Sequence, residues 1–114
     1  MAENRKVLLE KMGKDRNIIK IRFPEPLNSK LSANCLIAAF NQCFKHSFYK
    51  IILDMTNVDE PGHDFVATLI EATAKVRTRD GDVKIINMSP SAEQTMAGFN
   101  AYAYLSVPRE DIEM

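Results

Sequence analysis

Apolar and polar positions change period several times along the chain, and each change marks an element. Lys6 to Glu10 and Asn17 to Phe23 (NIIKIRF) carry apolar runs and alternation, with turn residues from Gly13 to Arg16 between them. The pair predicts a β-hairpin whose second strand is stopped by Pro24 and Pro26. From Ser29 the period becomes helical: Leu36, Phe40, Cys43 and Phe44 fall at i, i+4, i+7 and i+8, on one face of a helix ending near His46. Lys45 and His46 suit its negative end. YKIILDM follows, and the unbroken Ile51, Ile52, Leu53 run predicts a central strand buried on both faces. Phe65, Leu69, Ala72 and Val76 mark the inner stripe of a second helix. Asp80 and Gly81 are expected to end it, because glycine accepts the left-handed conformation at a helix terminus. VKIINM predicts another buried strand, and Ala92, Met96, Phe99 and Ala103 a third helix. LSV is a candidate short last strand before the polar tail REDIEM.

Strands alternating with helices imply right-handed crossovers and hence an α/β class. The expected architecture is a mixed, largely parallel sheet of four to five strands with three or more flanking helices. So small a domain can leave one sheet face open. At 114 residues, with no repeat or linker, residues 1–114 are expected to form one domain.

Composition narrows the partner classes. Apolar residues make up 46% and charged residues 26%, which fits a soluble globular chain. Fifteen basic residues balance fifteen acidic ones, so no global field draws the chain to nucleic acid or to an anionic membrane. No apolar run reaches signal-peptide or bilayer-spanning length, and the expectation is a cytoplasmic protein without direct membrane insertion. Cys35 and Cys43 lie eight residues apart on one predicted helix, about 12 Å of axial rise. That is too far for a disulfide, so they read as reduced core thiols. His46 alone does not complete a metal set. No glycine-rich phosphate motif is present, so neither a metal nor a cofactor is expected.

The stretch LDMTNVDEPGHDFV, residues 53 to 66, concentrates the candidate chemistry. Pro61 and Gly62 shape a tight loop before the second helix. Asp64 reads as an N-cap, a carboxylate taking an unpaired N–H of the first turn. His63 offers an imidazole near the turn, but no positioned nucleophile, oxyanion donor or metal set accompanies it, so catalysis is not expected. Asp54 and Asp59 read as turn and loop solvation. Phe99 reads as core, and Tyr102 and Tyr104 as partly exposed aromatics suited to a protein contact.

Three stretches, in order and at natural spacing, resemble the STAS family, the domain of bacterial anti-sigma factor antagonists and of sulfate transporter tails. YKIILDMTNVDEPGHDFVATLIEA is similar to that family's signature strand, turn and helix. RTRDGDVKIINMSP resembles its basic helix end, glycine turn and apolar strand, and EQTMAGFNAYAYLSV its last helix. The resemblance spans about Asn17 to Val107. STAS antagonists usually carry an Asp-Ser-Ser-Gly-like segment whose second hydroxyl is phosphorylated by a partner kinase; the corresponding positions here are Gly62, His63, Asp64 and Phe65. Asp64 stands at the acceptor's place. A carboxylate imitates phosphate only in part, with one charge and two oxygens against about −1.5 to −2 charges and three.

The resemblance implies a non-enzymatic interaction module in signal transduction by partner switching, part of transcription regulation. Its partner would be an anti-sigma factor or a serine/threonine kinase-like protein. The implied contact residues are Asn28 and Ser29 in the loop before the first helix, Asn57, Asp59, Glu60, Gly62, His63, Asp64 and Phe65 in the turn, and Thr68 one helical turn on. With Asp64 fixed, no switch is expected at this turn, although Thr56 and Thr68 remain candidate hydroxyls. The alternative is a small cytoplasmic STAS subunit bound to the ATPase of an ABC-type lipid transporter, which also lacks a phosphoswitch.

Overall fold

The computed structural model describes residues 7–26, 29–58 and 61–98. The hairpin consists of β1 (Leu8–Met12) and β2 (Ile18–Arg22); α1 (Ser29–Lys45), β3 (Lys50–Asp54), α2 (His63–Arg77), β4 (Asp82–Ile86) and α3 (Pro90–Gly98) follow. The sheet order is β1-β2-β3-β4, with β1 antiparallel to β2 and the other pairs parallel. The class and the mixed, largely parallel sheet read from the sequence are those observed, with four strands and three helices among the described residues. The LSV strand, the Phe99 and Ala103 turn of the third helix, Tyr102 and Tyr104 lie outside them.

β1 runs further toward the turn than its sequence pattern indicates. It is an edge strand, and Leu8 and Leu9 are 40% and 41% exposed, so its apolar residues do not mark a buried segment. The hairpin closes with Gly13 at φ 90°, a conformation costly for residues with a Cβ, and an Arg16 N–H to Gly13 carbonyl bond of 3.1 Å.

Ile19, Ile21, Ile51, Leu53, Val83 and Ile85 alternate onto one sheet face. They form a core with Leu36, Phe40 and Cys43 of α1, the expected Phe65, Leu69, Ala72 and Val76 stripe of α2, and Met96 of α3. Each fully buried side chain of this size contributes about 1.5–3 kcal/mol. Cys43 lies in this core, where burial pushes its thiol pKa up to about 11; neither cysteine is in a disulfide. Among the described residues the opposite face carries no buried cluster, but Ile52 sits there in register between Lys20 and Lys84. It is only 3% exposed, so β3 is buried on both sides as its apolar run implies.

The residue that turns left-handed after α2 is Asp80 (φ 63°), not Gly81. Asp tolerates that region because its short side chain bonds locally. Gly81 is required for space: a Cβ there would collide with the Tyr49 carbonyl oxygen and lie 2.6 Å from its carbon.

Inside α2, Thr73 is 1% exposed and its hydroxyl has no hydrogen-bond partner among the described residues. An unpaired buried hydroxyl costs about 1–3 kcal/mol in desolvation. Thr73→Val keeps the shape and removes the polar atom, and is expected to raise the unfolding free energy by about 1 kcal/mol in a urea titration.

Candidate functional site

Parallel register brings the strands to common ends: Arg22, Asp54 and Ile86 are paired at one of them. There the chain passes from β3 to α2 through residues 55–62. Asp54 builds the start of this turn. Its Oδ1 accepts the backbone N–H of Thr56 at 3.0 Å, the Thr56 hydroxyl, and the Asn87 amide from beyond β4 at 3.2 Å; Lys20 Nζ lies 3.7 Å from Oδ2. Asp54 is 4% exposed, so the reading of it as loop solvation is corrected: it is a buried organiser of the turn. Burial raises its pKa, but the Thr56 and Asn87 hydrogen bonds and the Lys20 charge outweigh that and hold the carboxyl below its usual range. The turn is secured further by Met55 N–H to the Ile86 carbonyl (2.9 Å), by Val58 N–H to the Met55 carbonyl (3.0 Å), and by burial of Val58 and Pro61.

The sequence-derived site residues separate into three groups. Asn28, Asp59 and Glu60 lie outside the described residues, and Ser29 opens α1. Asn57 is half-buried and donates its side-chain amide to the Phe23 carbonyl at 2.6 Å, tying the turn to the end of β2. Gly62, His63, Asp64, Phe65 and Thr68 form the start of α2, and they do not share one surface. Phe65 is fully buried in the core, so its side chain is unavailable to a partner. Thr68 is half-buried in a groove of about 270 Å³ between α1 and α2, with Ile37, Phe40 and Phe44. His63 and Asp64 project outward, their side chains 77% and 91% exposed.

Asp64 is not the N-cap. Gly62 occupies that position, in an extended conformation (φ −81°, ψ 176°) and without a side-chain cap bond, and its carbonyl accepts the Val66 N–H at 3.1 Å. Asp64 sits two residues inside, as the acidic residue of the first turn. A carboxylate there is favoured by the helix dipole by about 0.3–1 kcal/mol without a directed hydrogen bond. His63 Nδ1 lies 3.8 Å from Asp64 Oδ1, a contact between two exposed groups that contributes little to stability. The arrangement offers a solvent-facing anion and an imidazole on a rigid helix start. Sequence reasoning missed Asp54 and Asn57 as the residues that hold the turn. The Asp-x-Thr spacing, an Asx-turn signature, could have revealed the first.

Among the described residues no group of three or more His, Cys, Asp or Glu could hold a metal ion, and no helix is long and apolar enough to cross a membrane.

No family profile and no curated protein matches the sequence. The fold does match solved structures. The crystal structure of a candidate anti-sigma factor antagonist, TM1081 of Thermotoga maritima, superposes with a TM-score of 0.78 at 9% identity, covering 94% of this chain and 89% of that one. The NMR structure of TM1081 gives 0.70 at 10% identity, over 88% and 78%. The chain therefore has the STAS-like α/β fold.

Proposed function

We propose that this chain is a non-enzymatic protein-interaction module of the STAS type, binding an anti-sigma factor or related kinase-like protein in the cytoplasm through the start of α2. By its resemblance to STAS antagonists, Asp64 takes the place of the phosphoacceptor in this reading, so binding is not switched at that position. The observation that carries this reading is the exposure of Asp64 on the first turn of α2, after a strand-end turn made rigid by Asp54 and Asn57. His63 shares that surface, with Thr68 in the groove beside it and Asn28, Ser29, Asp59, Glu60 and Gly62 as its proposed margin.

Asp64→Lys replaces an anion with a cation at an interface centre and is expected to weaken partner binding more than tenfold by calorimetry. It should cost the fold no more than about 1 kcal/mol. Unchanged affinity would remove this surface from consideration. Phosphopeptide mapping after incubation with ATP and the cognate kinase addresses the fixed state. Stoichiometric phosphate on Thr56 or Thr68 would restore a switch. The partner recovered by co-purification separates regulator from transporter subunit, because an ATPase of a lipid exporter would favour the latter.

A further inference from the structure

The net charge is zero over the whole chain, but among the described residues cations gather at one end of the strand axis. Ile18, Lys50 and Asp82 begin β2, β3 and β4 in register, so the hairpin turn and the loops 46–49 and 78–81 share one end of the domain, remote from the start of α2. Two contacts hold the latter loops together: Asp82 N–H donates to the Tyr49 carbonyl at 3.1 Å, and Gly81 packs against the same carbonyl. Lys14 and Arg16 from the hairpin, Lys45 from α1, Lys50 from β3 and Arg79 from the last loop are all exposed there. Lys11, Lys75 and Arg77 flank them, and Arg77 pairs with Asp82 at 3.0 Å. Against these eight cations the described residues at the same end set Asp15, Asp80 and Asp82, with Glu10 beside Lys11 and Glu71 beside Lys75. At the opposite end Glu25, Asp54 and Asp64 are set against Arg22 and against Lys20, which pairs with Asp54 at 3.7 Å.

The aromatic side chains at the basic end decide which polyanion fits. Phe44 stacks on Tyr49 at 5.8 Å between centroids. Lys75 covers Phe44 at 5.3 Å, Arg79 covers Tyr49 at 5.4 Å and Lys11 covers Phe48 at 5.7 Å. Ring faces used in this way are not platforms on which nucleobases can stack, the contact that single-stranded nucleic acid needs. The cations are instead spread over the hairpin turn, the ends of α1 and α2, the start of β3 and the loop after α2, a spread suited to many phosphates presented across a surface.

We propose that this end is a peripheral docking surface for anionic lipid headgroups, which orients the start of α2 away from the membrane. Each cation close to an anionic leaflet contributes roughly a fivefold factor to partitioning, and salt screens it. The inference does not depend on the identity of the partner at α2.

The test is co-sedimentation of the full chain with phosphatidylcholine vesicles, with or without about 30% phosphatidylserine, at about 50 mM salt. The protein should pellet only with the anionic vesicles and release as salt rises. A Lys14→Glu, Arg16→Glu, Arg79→Glu variant with an unchanged circular dichroism spectrum should lose more than about tenfold in partitioning, while Asp64→Lys should lose none. Failure of the parent to pellet with anionic vesicles overturns the proposal. So does a triple variant that binds like the parent, or tighter binding of the parent to a short DNA duplex than to the vesicles.

Discussion

Gly81→Ala is expected to lower the unfolding free energy by about 3 kcal/mol or more, read as a shifted urea midpoint at constant slope. The added methyl would enter the shell of the Tyr49 carbonyl oxygen and approach the Tyr49 carbonyl carbon to 2.6 Å and its Cβ to 2.8 Å. Two of these three atoms are backbone, so no rotamer change relieves the clash. One of the loops 46–49 and 78–81 has to move, and such a move strains the Asp82 N–H bond to the same carbonyl. It would also disturb Arg79 on the Tyr49 ring and the Phe44 stack behind it. Gly98→Ala is the matched control. No described residue lies within 4 Å of a Cβ at that position in α3 (Pro90–Gly98). That change should fall within about 0.5 kcal/mol of the parent. Equal stability of the two variants would show that the loops separate without cost.

What the sequence made legible was what depends on neighbours in the chain. The α2 stripe at Phe65, Leu69, Ala72 and Val76 needed only helical periodicity, and all four residues are in the core. The buried run of β3 was equally plain. Gly81 was misread because its constraint comes from Tyr49, a residue of another loop, whereas the helix-ending conformation belongs to Asp80. Asp64 slipped from cap to second helical position because Gly62, His63 and Asp64 offer no local way to choose. Turning Phe65 into the core while Gly62 caps the helix sets the choice, and that is a tertiary condition. Charge balance misled in the same manner. Fifteen against fifteen excludes a global field, but among the described residues the parallel topology gathers an excess of cations at the end where β2, β3 and β4 begin, and a sum cannot register that. Asp54 is the clearest case, since its burial depends on Asn87, 33 residues away, and on Lys20 of the neighbouring strand.

Asp54→Ala should therefore cost about 3 kcal/mol, because it leaves the Thr56 N–H, the Asn87 amide and the half-buried Lys20 ammonium without their acceptor. Asp54→Asn separates the two parts of that loss. An amide oxygen in the Oδ1 position still accepts from Thr56 and Asn87, so the turn persists. The amide nitrogen then replaces Oδ2 and faces Lys20 as donor against cation, for a smaller cost of about 1–2 kcal/mol. The pH dependence distinguishes the roles. The folded-state pKa of Asp54 is depressed, so its carboxylate contributes stability that is complete above the unfolded value near 3.8 and is lost as pH falls through the lower folded pKa. The parent should lose this contribution in acid below about pH 4, and Asp54→Asn should show a shallower decline over the same range. Parallel acid curves for parent and variant would mean that folding does not lower the pKa of Asp54. Because the same residue anchors the turn leading to α2, Asp54→Ala should also weaken any ligand that needs His63 and Asp64 in fixed orientation, whereas Asp54→Asn should retain most of that binding at neutral pH. The ratio of the two losses measures how far recognition depends on the shape of the turn rather than on the charge beneath it.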